Sequence, residues 1–264
     1  QCPATPVKPR VDNEIINAEN YLKLGAKGIH LTLSMSFADL GSPEQITAQI
    51  KQLDQSYPNL FKWMGEVNLV KQALFKNHHK ATPIEKIAQW HDFMTILRQR
   101  NIPISIHSDL GNDESPTQYL FLMEEVLKRY PDNKIVWVHM GLSRELIAMD
   151  PVKHINIMKS KLDAHPNLML DISWVILDDF YFSKPENRQL YVDLFNQYST
   201  RILPGSDFVA SANQTYKSFK AHVKDNSNIN RYLDDNAFRN IVLGQNYIRL
   251  LGLNYQAPII CTNE

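Results

Sequence analysis

IPISIH at residues 102–107 and KIVWVH at residues 134–139 decide the fold, because each is a short apolar run that ends in a histidine. Four further runs have the same character: GIHLTL (28–33), KWMGEVNL (62–69), LMLDIS (168–173) and RILPGSD (201–207). They are rich in Ile, Val, Leu and Trp and show little alternation of apolar and polar residues. That pattern is typical of strands buried on both faces of a parallel sheet. The sequence therefore predicts six parallel strands.

Helix signals fill the segments between these runs. Residues 42–45, 82–85 and 115–118 each read as a capping box, with a hydroxyl residue, then Pro, then Glu or Gln at the third helical position. After Thr82, apolar residues recur at helical spacing as far as Leu97, and we expect Trp90 to pack with them against the sheet. Strands alternating with helices indicate an α/β fold.

The spacing of the strand ends favours a barrel. Successive ends, from His30 to Asp207, lie between 32 and 41 residues apart. A (β/α)8 barrel of about 250 residues uses roughly 31 residues for each unit. We therefore predict a TIM-like (β/α)8 barrel, although an open doubly wound sheet would show a similar rhythm. Both architectures place their chemistry at the carboxyl ends of the strands.

Composition narrows the class of protein and its partners. Lys and Arg together number 28, as do Asp and Glu, so the chain has neither the net basic charge nor the basic stripe of a nucleic-acid-binding protein. No apolar run approaches the roughly 20 residues that a membrane-crossing helix needs. QCPATPVKPR at the start has no apolar core of a signal peptide, although earlier cleavage stays open. We expect a small-molecule substrate and no nucleic-acid or membrane partner.

The two cysteines, Cys2 and Cys261, lie near opposite ends and have no C-x-x-C spacing, so a structural zinc site is not expected. We expect two free thiols, with a bond between the termini as the alternative. Cysteine usage therefore leaves the compartment almost undecided, with the cytoplasm slightly favoured over export.

Four of the strands end in residues capable of chemistry: Glu66, His107, His139 and Asp207. One such histidine is more often a hydrogen-bonded core residue, but four polar residues at successive strand ends would be costly to bury unless they are paired or bind a metal. Imidazoles with carboxylates suit Zn²⁺, with Mn²⁺ as the alternative, and an open coordination position makes such a site catalytic.

A metal ion there would lower the pKa of bound water to about 7 or polarise a substrate oxygen. Asp207 is predicted both to contact the metal and to carry a proton, and Glu66 to act as a ligand, a general base or an orienting group. No G-x-S-x-G elbow is present, which argues against serine catalysis.

Three further residues are candidates for contacts with substrate. Asp109 lies in the polar loop after His107, and Arg144 could pair with a substrate carboxylate through its bidentate fork. Trp174 follows LMLDIS and could line the pocket. An ordinary surface position for the arginine and simple packing for the tryptophan are the alternatives.

At these residues the sequence resembles the amidohydrolase superfamily, in particular its amidohydrolase-related (amidohydrolase-2) branch. The resemblance runs from about residue 20 to 253 and is carried by IPISIH, WVHMG around His139, LMLDIS, ILPGSDF around Asp207, the tail IVLGQNYIRLLGL (241–253) and, less closely, KWMGEVNL. It implies a (β/α)8 barrel with a mono- or dinuclear metal site. It also implies that His107 and His139 are the fifth- and sixth-strand ligands, that Asp207 is the eighth-strand acid, and that Glu66 takes a bridging position.

The sequence departs from the family at its first strand, which normally ends in an H-x-H or E-x-H pair that supplies two ligands. No such pair occurs here, and His30-Leu31-Thr32 lies on what the spacing makes the third strand. We therefore expect that the chain lacks the first two βα units of the barrel. An upstream segment, a second copy in a homo-oligomer, or the N-terminal arm would cover the gap.

These observations predict a single amidohydrolase-like domain over residues 1–264, with an arm or helix lead-in at 1–18, the barrel at 19–253 and a tail at 254–264. The expected function is metal-dependent hydrolysis of a small amide, ester or lactone. The alternatives are a decarboxylase (a lyase) of the same fold and a non-catalytic barrel relative with an incomplete metal site.

Overall fold

The computed structural model describes residues 11–25, 28–209 and 213–260. They fall into two compact units. The first unit runs to Asp109 and also includes Tyr119–Val136; the second contains Leu110–Gln118 and the chain from Trp137 onward. Cys2 and Cys261, and with them the expectation about their thiols, lie outside the described residues. None of the helices in these ranges has both the length and the apolar character of a membrane span.

Six strands form the sheet, hydrogen-bonded to one another in the order in which they occur along the chain. They are β1 Leu33–Met35, β2 Phe61–Val70, β3 Ile104–Ser108, β4 Ile135–Val138, β5 Leu168–Asp171 and β6 Ile202–Leu203. β2 runs parallel to both β1 and β3, and β5 runs parallel to β6. The predicted parallel six-stranded sheet with intervening helices is confirmed, and the absence of two further units stays a prediction.

Helices follow the strands in both units. The first unit contains α1 Asp12–Leu24, α2 Pro43–Ser56, α3 Ile84–Ile87, α4 His91–Gln99 and α5 Leu120–Arg129. The second contains α6 Pro151–Ala164, α7 Val175–Leu177, α8 Pro185–Gln197, α9 Tyr216–Asn226, α10 Asp235–Ile241 and α11 Gln245–Leu251. The helix α1 begins inside the predicted arm (1–18) and ends beyond it, at Leu24. Its buried Glu14 accepts hydrogen bonds from the backbone N–H and the hydroxyl of Ser36.

Two predicted strands have different bounds in the structure. GIHLTL was expected to be a strand throughout, but β1 begins only at its last residue, Leu33. Ile29 and Leu31 are 66% and 46% exposed, so burial on both faces does not hold for this segment. RILPGSD contributes only the two residues of β6, because Pro204 has no N–H to donate to the sheet.

The three predicted capping boxes are wrong. Ser42 precedes α2 but its side chain makes no capping hydrogen bond, and the position before α3 is Pro83 rather than Thr82. Ser115 lies in turns, and the next helix begins at Leu120. A capping box does occur before α9, where the hydroxyls of Thr215 and Ser218 each accept a backbone N–H.

Aromatic side chains fill the core of each unit. Trp90 is fully buried in the first unit, where its ring stacks on Tyr130 and its Nε1–H donates to the carbonyl of Leu40. The predicted burial of Trp90 in the core is therefore confirmed, and its packing against the sheet stays a prediction. In the second unit Tyr191 packs with Phe182, and its hydroxyl forms a hydrogen bond with Nδ1 of the buried His154.

Candidate metal centre

In the first unit, neighbouring strands place Glu66 and His107 side by side. His107 pairs with Asn68 in the register of β2 and β3. Gly65 makes this approach of the strands possible, because a Cβ at this position would collide with the carbonyl oxygen of Ser105. The Nδ1 atom of His107 lies 2.9 Å from Oε1 of Glu66, so the buried imidazole pairs with a partly buried carboxylate.

The other ring nitrogen of His107 faces a second carboxylate. Its Nε2 lies 2.9 Å from Oδ1 of Asp109. The second oxygen of Asp109 accepts the backbone N–H of Gln72 at 2.7 Å, which ties the loop after β2 to the end of β3. Asp109 and His107 are 1% and 3% exposed, so water does not replace these contacts. The imidazole of His107 is therefore held in one orientation from both sides.

The charges at this pair reinforce one another. Burial alone would lower the pKa of His107, but its hydrogen bonds to Asp109 and Glu66 raise the pKa above its ordinary value. Burial alone would raise the pKa of Glu66, but the hydrogen bond and charge of His107, together with Lys71, hold the pKa far below its ordinary value. The Lys71 Nζ lies 2.6 Å from Oε1 of Glu66. Glu66 is thus a carboxylate at neutral pH, which is the state that binds a cation.

In the second unit, His139 follows β4 and is oriented by the end of β5. Its Nδ1 lies 3.0 Å from the carbonyl oxygen of Ser173, so this nitrogen carries a proton that it donates. The backbone N–H of His139 donates to Oδ1 of Asp171, which also accepts from Ser173. In neutral histidine the remaining nitrogen, Nε2, then has the lone pair that a metal ion requires.

Trp174 and Arg144 lie beside His139. The rings of His139 and Trp174 have centroids 4.8 Å apart, and the guanidinium carbon of Arg144 lies 5.6 Å from the centroid of Trp174. Trp174 holds a φ of +88°, which a bulky side chain seldom adopts. The structure thus groups one predicted ligand with two predicted substrate contacts.

Asp207 lies on the loop after β6, also in the second unit. Its φ is +50°, and the loop is held by Asn226, whose side-chain amide donates to the carbonyl of Ser206 at 3.2 Å. Gly205 comes so close to β5 that a Cβ there would lie 3.2 Å from Oδ2 of Asp171. The structure therefore places Asp207 on a loop packed against the end of β5.

Within their units, these contacts bring Glu66 together with His107 and Asp109, and His139 together with Trp174 and Arg144. The predicted roles of all these residues and of Asp207 as ligands, acid–base groups or substrate contacts stay predictions. Sequence reasoning missed Lys71 as a partner of Glu66 and Ser173 as a partner of His139. The only sequence signal for Lys71 is its position directly after β2. Both the carbonyl and the hydroxyl of Ser173 lie within hydrogen-bond distance of Nδ1 of His139, and no residue pattern predicts these contacts.

Comparison with known proteins identifies a family that the chain matches. A family model described as Amidohydrolase matches residues 24–253. A search of curated proteins found no match.

Two solved structures share the fold. Dihydroorotase from Saccharomyces cerevisiae, in complex with 5-fluoroorotic acid, has a TM-score of 0.55 at 11% identity over 92% of this chain and 72% of that one. An amidohydrolase from Burkholderia multivorans with bound zinc has a TM-score of 0.50 at 10% identity over 90% of this chain and 80% of that one. These similarities confirm the predicted TIM-like barrel class.

The sheet has six strands in chain order, and His107 and His139 lie at the carboxyl ends of β3 and β4. Because the family model matches residues 24–253, nearly the whole length, the chain belongs to the amidohydrolase family.

Proposed function

We propose that this protein is a metal-dependent hydrolase that acts on a small amide, ester or lactone. The observation that carries the proposal is the imidazole of His107, buried between the carboxylates of Glu66 and Asp109. His107 and Asp109 are both buried, and burying two ionisable groups beside a third carboxylate is costly unless the groups are paired and used, so this arrangement points to a functional site.

We further propose His107 and His139 as ligands of the metal, as the sequence predicts, with Glu66, which lies beside His107, as a third ligand. Nε2 of His107 is hydrogen-bonded to Asp109, and Nδ1 of His139 is hydrogen-bonded to the carbonyl of Ser173. In each histidine, a protein oxygen is thus hydrogen-bonded to the ring nitrogen other than the proposed metal ligand. Such oxygens fix the ring and its tautomer in metal sites. Two imidazoles with a carboxylate suit Zn²⁺, with Mn²⁺ as the second choice, and the Burkholderia multivorans amidohydrolase of the same fold was solved with bound zinc.

The metal would supply Lewis acidity to the substrate carbonyl and to a water molecule. Asp207 would take the proton of the attacking water and deliver it to the leaving nitrogen or oxygen as the C–N or C–O bond breaks. Lys71 would keep Glu66 ionised, and Arg144 and Trp174 would contact the substrate. For Asp109 we now propose a positioning role, since both of its oxygens are bonded within the protein.

Metal analysis combined with a hydrolysis assay tests the proposal. The purified chain, loaded with Zn²⁺ or Mn²⁺ and freed of excess, should retain about one or two ions and hydrolyse members of a panel of small amides, esters and lactones. Glu66→Gln should lower metal retention or turnover by at least about 100-fold while keeping the fold. Glu85→Gln, the same change at an exposed position, should alter neither.

Two results would overturn the proposal. The first is a folded chain that retains no metal, as expected for the non-catalytic barrel relative. The second is a metal-loaded chain that releases CO₂ from carboxylic acids and hydrolyses nothing, as expected for the decarboxylase. Full activity of Glu66→Gln would separately remove Glu66 from the ligand set.

A further inference from the structure

Trp174 joins the proposed metal ligand His139 to the cation of Arg144. The tryptophan ring lies 4.8 Å from the imidazole and 5.6 Å from the guanidinium carbon. Its backbone φ of +88° is costly for a bulky residue and persists only where the surrounding structure imposes it. The aromatic ring therefore lies close both to the proposed metal ligand His139 and to the positive charge of Arg144.

The N–H donors of the Arg144 guanidinium are available to bind a ligand. Arg144 is exposed, and within the part of the chain that the structure describes it makes no hydrogen bond or ion pair. Arg188 provides the contrast: it also lies over an aromatic ring, that of Tyr232, but its nitrogens donate to two backbone carbonyls and to the tyrosine hydroxyl. Arg188 is therefore used to hold the fold, whereas Arg144 is held by the ring alone.

We infer that Arg144 and Trp174 form the subsite for a carboxylate group carried by the substrate. A guanidinium presents a planar fork of N–H donors that matches the two oxygens of a carboxylate. The face of Trp174 attracts the cation and offers an apolar surface to the body of the same molecule. This inference rests on the proposed function, since His139 marks the position of the reacting bond relative to the carboxylate.

The substrate class that follows is a small carboxylic acid that also carries the amide, ester or lactone. Its carboxylate lies on the Arg144 side of Trp174, and the bond to be hydrolysed lies on the His139 side. Neutral molecules of the same shape would lose the charge-assisted hydrogen bonds and bind more weakly.

Calorimetric titration with benzoate and with its neutral analogue benzamide tests the subsite. Both titrations are made on the full chain after metal removal by a chelator, so that benzoate cannot bind through the ion. Benzoate should bind, and benzamide should bind about 10- to 100-fold more weakly. Arg144→Gln should remove this preference, Arg144→Lys should restore part of it, and Trp174→Phe should weaken both probes. Arg231→Gln, the same change at another exposed arginine of the second unit, should have no effect.

Equal affinities for benzoate and benzamide, no binding of benzoate, or unchanged benzoate affinity in Arg144→Gln would overturn the subsite. Because the titration uses metal-free protein, its outcome is separate from that of the hydrolase proposal. A chain without metal or hydrolytic activity can still show the carboxylate preference, and an active hydrolase can lack it.

Discussion

Asp109→Asn is expected to weaken metal binding while leaving the fold intact. Asp109 accepts hydrogen bonds from Nε2 of His107 and from the backbone N–H of Gln72. Asparagine has the same shape and one oxygen, which can keep the bond to Gln72. Its NH₂ group then turns toward Nε2 of His107 and favours the tautomer with the proton on Nδ1. That is the nitrogen that faces Glu66 and that we propose as the metal ligand.

The magnitude follows from the burial of the pair. Loss of an oxygen that orients a metal-binding histidine typically costs about 10- to 100-fold in metal affinity, which is about 1.4–2.7 kcal/mol. His107 and Asp109 are 3% and 1% exposed, so water cannot enter and replace the lost acceptor. We therefore expect the upper half of this range.

Competition for Zn²⁺ between the protein and a chromophoric chelator at fixed pH measures the change in affinity. Thermal unfolding of the metal-free protein checks the fold, and ¹⁵N NMR of the His107 ring reports which nitrogen carries the proton. Asp132→Asn is the matched control, because Asp132 lies on the surface and pairs with the exposed Arg98. Zinc affinity of Asp109→Asn within about twofold of the unmodified protein, with an unchanged His107 tautomer, would refute the reasoning.

Three further predictions concern stability and turnover. Gly65→Ala should lower the free energy of unfolding by about 1–3 kcal/mol, since its Cβ would meet the carbonyl of Ser105. Gly244, the control, is also at positive φ but has open space around it, so Gly244→Ala should lower the stability less in thermal unfolding. Equal losses in the two variants would contradict this prediction. Burial lowers the pKa of His154 from 6.5 to about 4, so below pH 6.5 the unfolded state gains a proton that the folded state does not, and up to about 3 kcal/mol of stability is lost as the pH falls toward 4. Urea unfolding between pH 4 and 7 should show this slope, and His154→Gln should flatten it; an identical slope in the variant would count against the assignment. Asp207→Gly should relieve a left-handed residue and leave the protein as stable or about 1 kcal/mol more stable, while hydrolysis falls by at least about 100-fold, so a destabilised variant with full turnover would be the contrary result.

Four of the six strands could be predicted nearly to their ends because burial on both faces leaves a continuous apolar run in the sequence. β2, β3, β4 and β5 all lie within or close to the runs that predict them. GIHLTL has the same composition, yet Ile29 and Leu31 are exposed, because an apolar run records only the capacity for burial. Whether other elements cover it depends on the whole fold. The helix start at Ser42 was predicted correctly although its hydroxyl makes no capping bond, whereas Ser115 lies in turns before a helix that begins only at Leu120. A capping hydroxyl competes with other hydrogen bonds and turns, so the residue pattern alone does not fix the contact.

The residues of the candidate site could also be predicted only in part. His107 could be predicted from its position at the end of β3, but the predicted strand-end position of Glu66 is wrong, because Glu66 lies in the middle of β2. The register of the two strands still brings the two side chains into contact. The role of Asp109 could not be predicted, because it depends on the loop of Gln72 returning to the end of β3. A polar residue after a strand is compatible with contact to solvent, to substrate or to a neighbouring side chain. Only the tertiary structure shows which of these three contacts the residue makes.

Backbone conformation gives support for the site that is independent of metal chemistry. His139, Trp174 and Asp207 follow β4, β5 and β6, and their φ angles are +55°, +88° and +50°. Each such residue costs about 1–3 kcal/mol relative to an ordinary conformation, and glycine would avoid most of that cost. Among the described residues, Asn59, His78, Asn101 and Met140 also have positive φ. Asparagine, aspartate and histidine adopt this conformation more readily than other residues, so Trp174 is the most informative of the three. A tryptophan held at positive φ shortly after β5 is therefore best explained by the contacts that its side chain makes, because stability alone would favour glycine at that position.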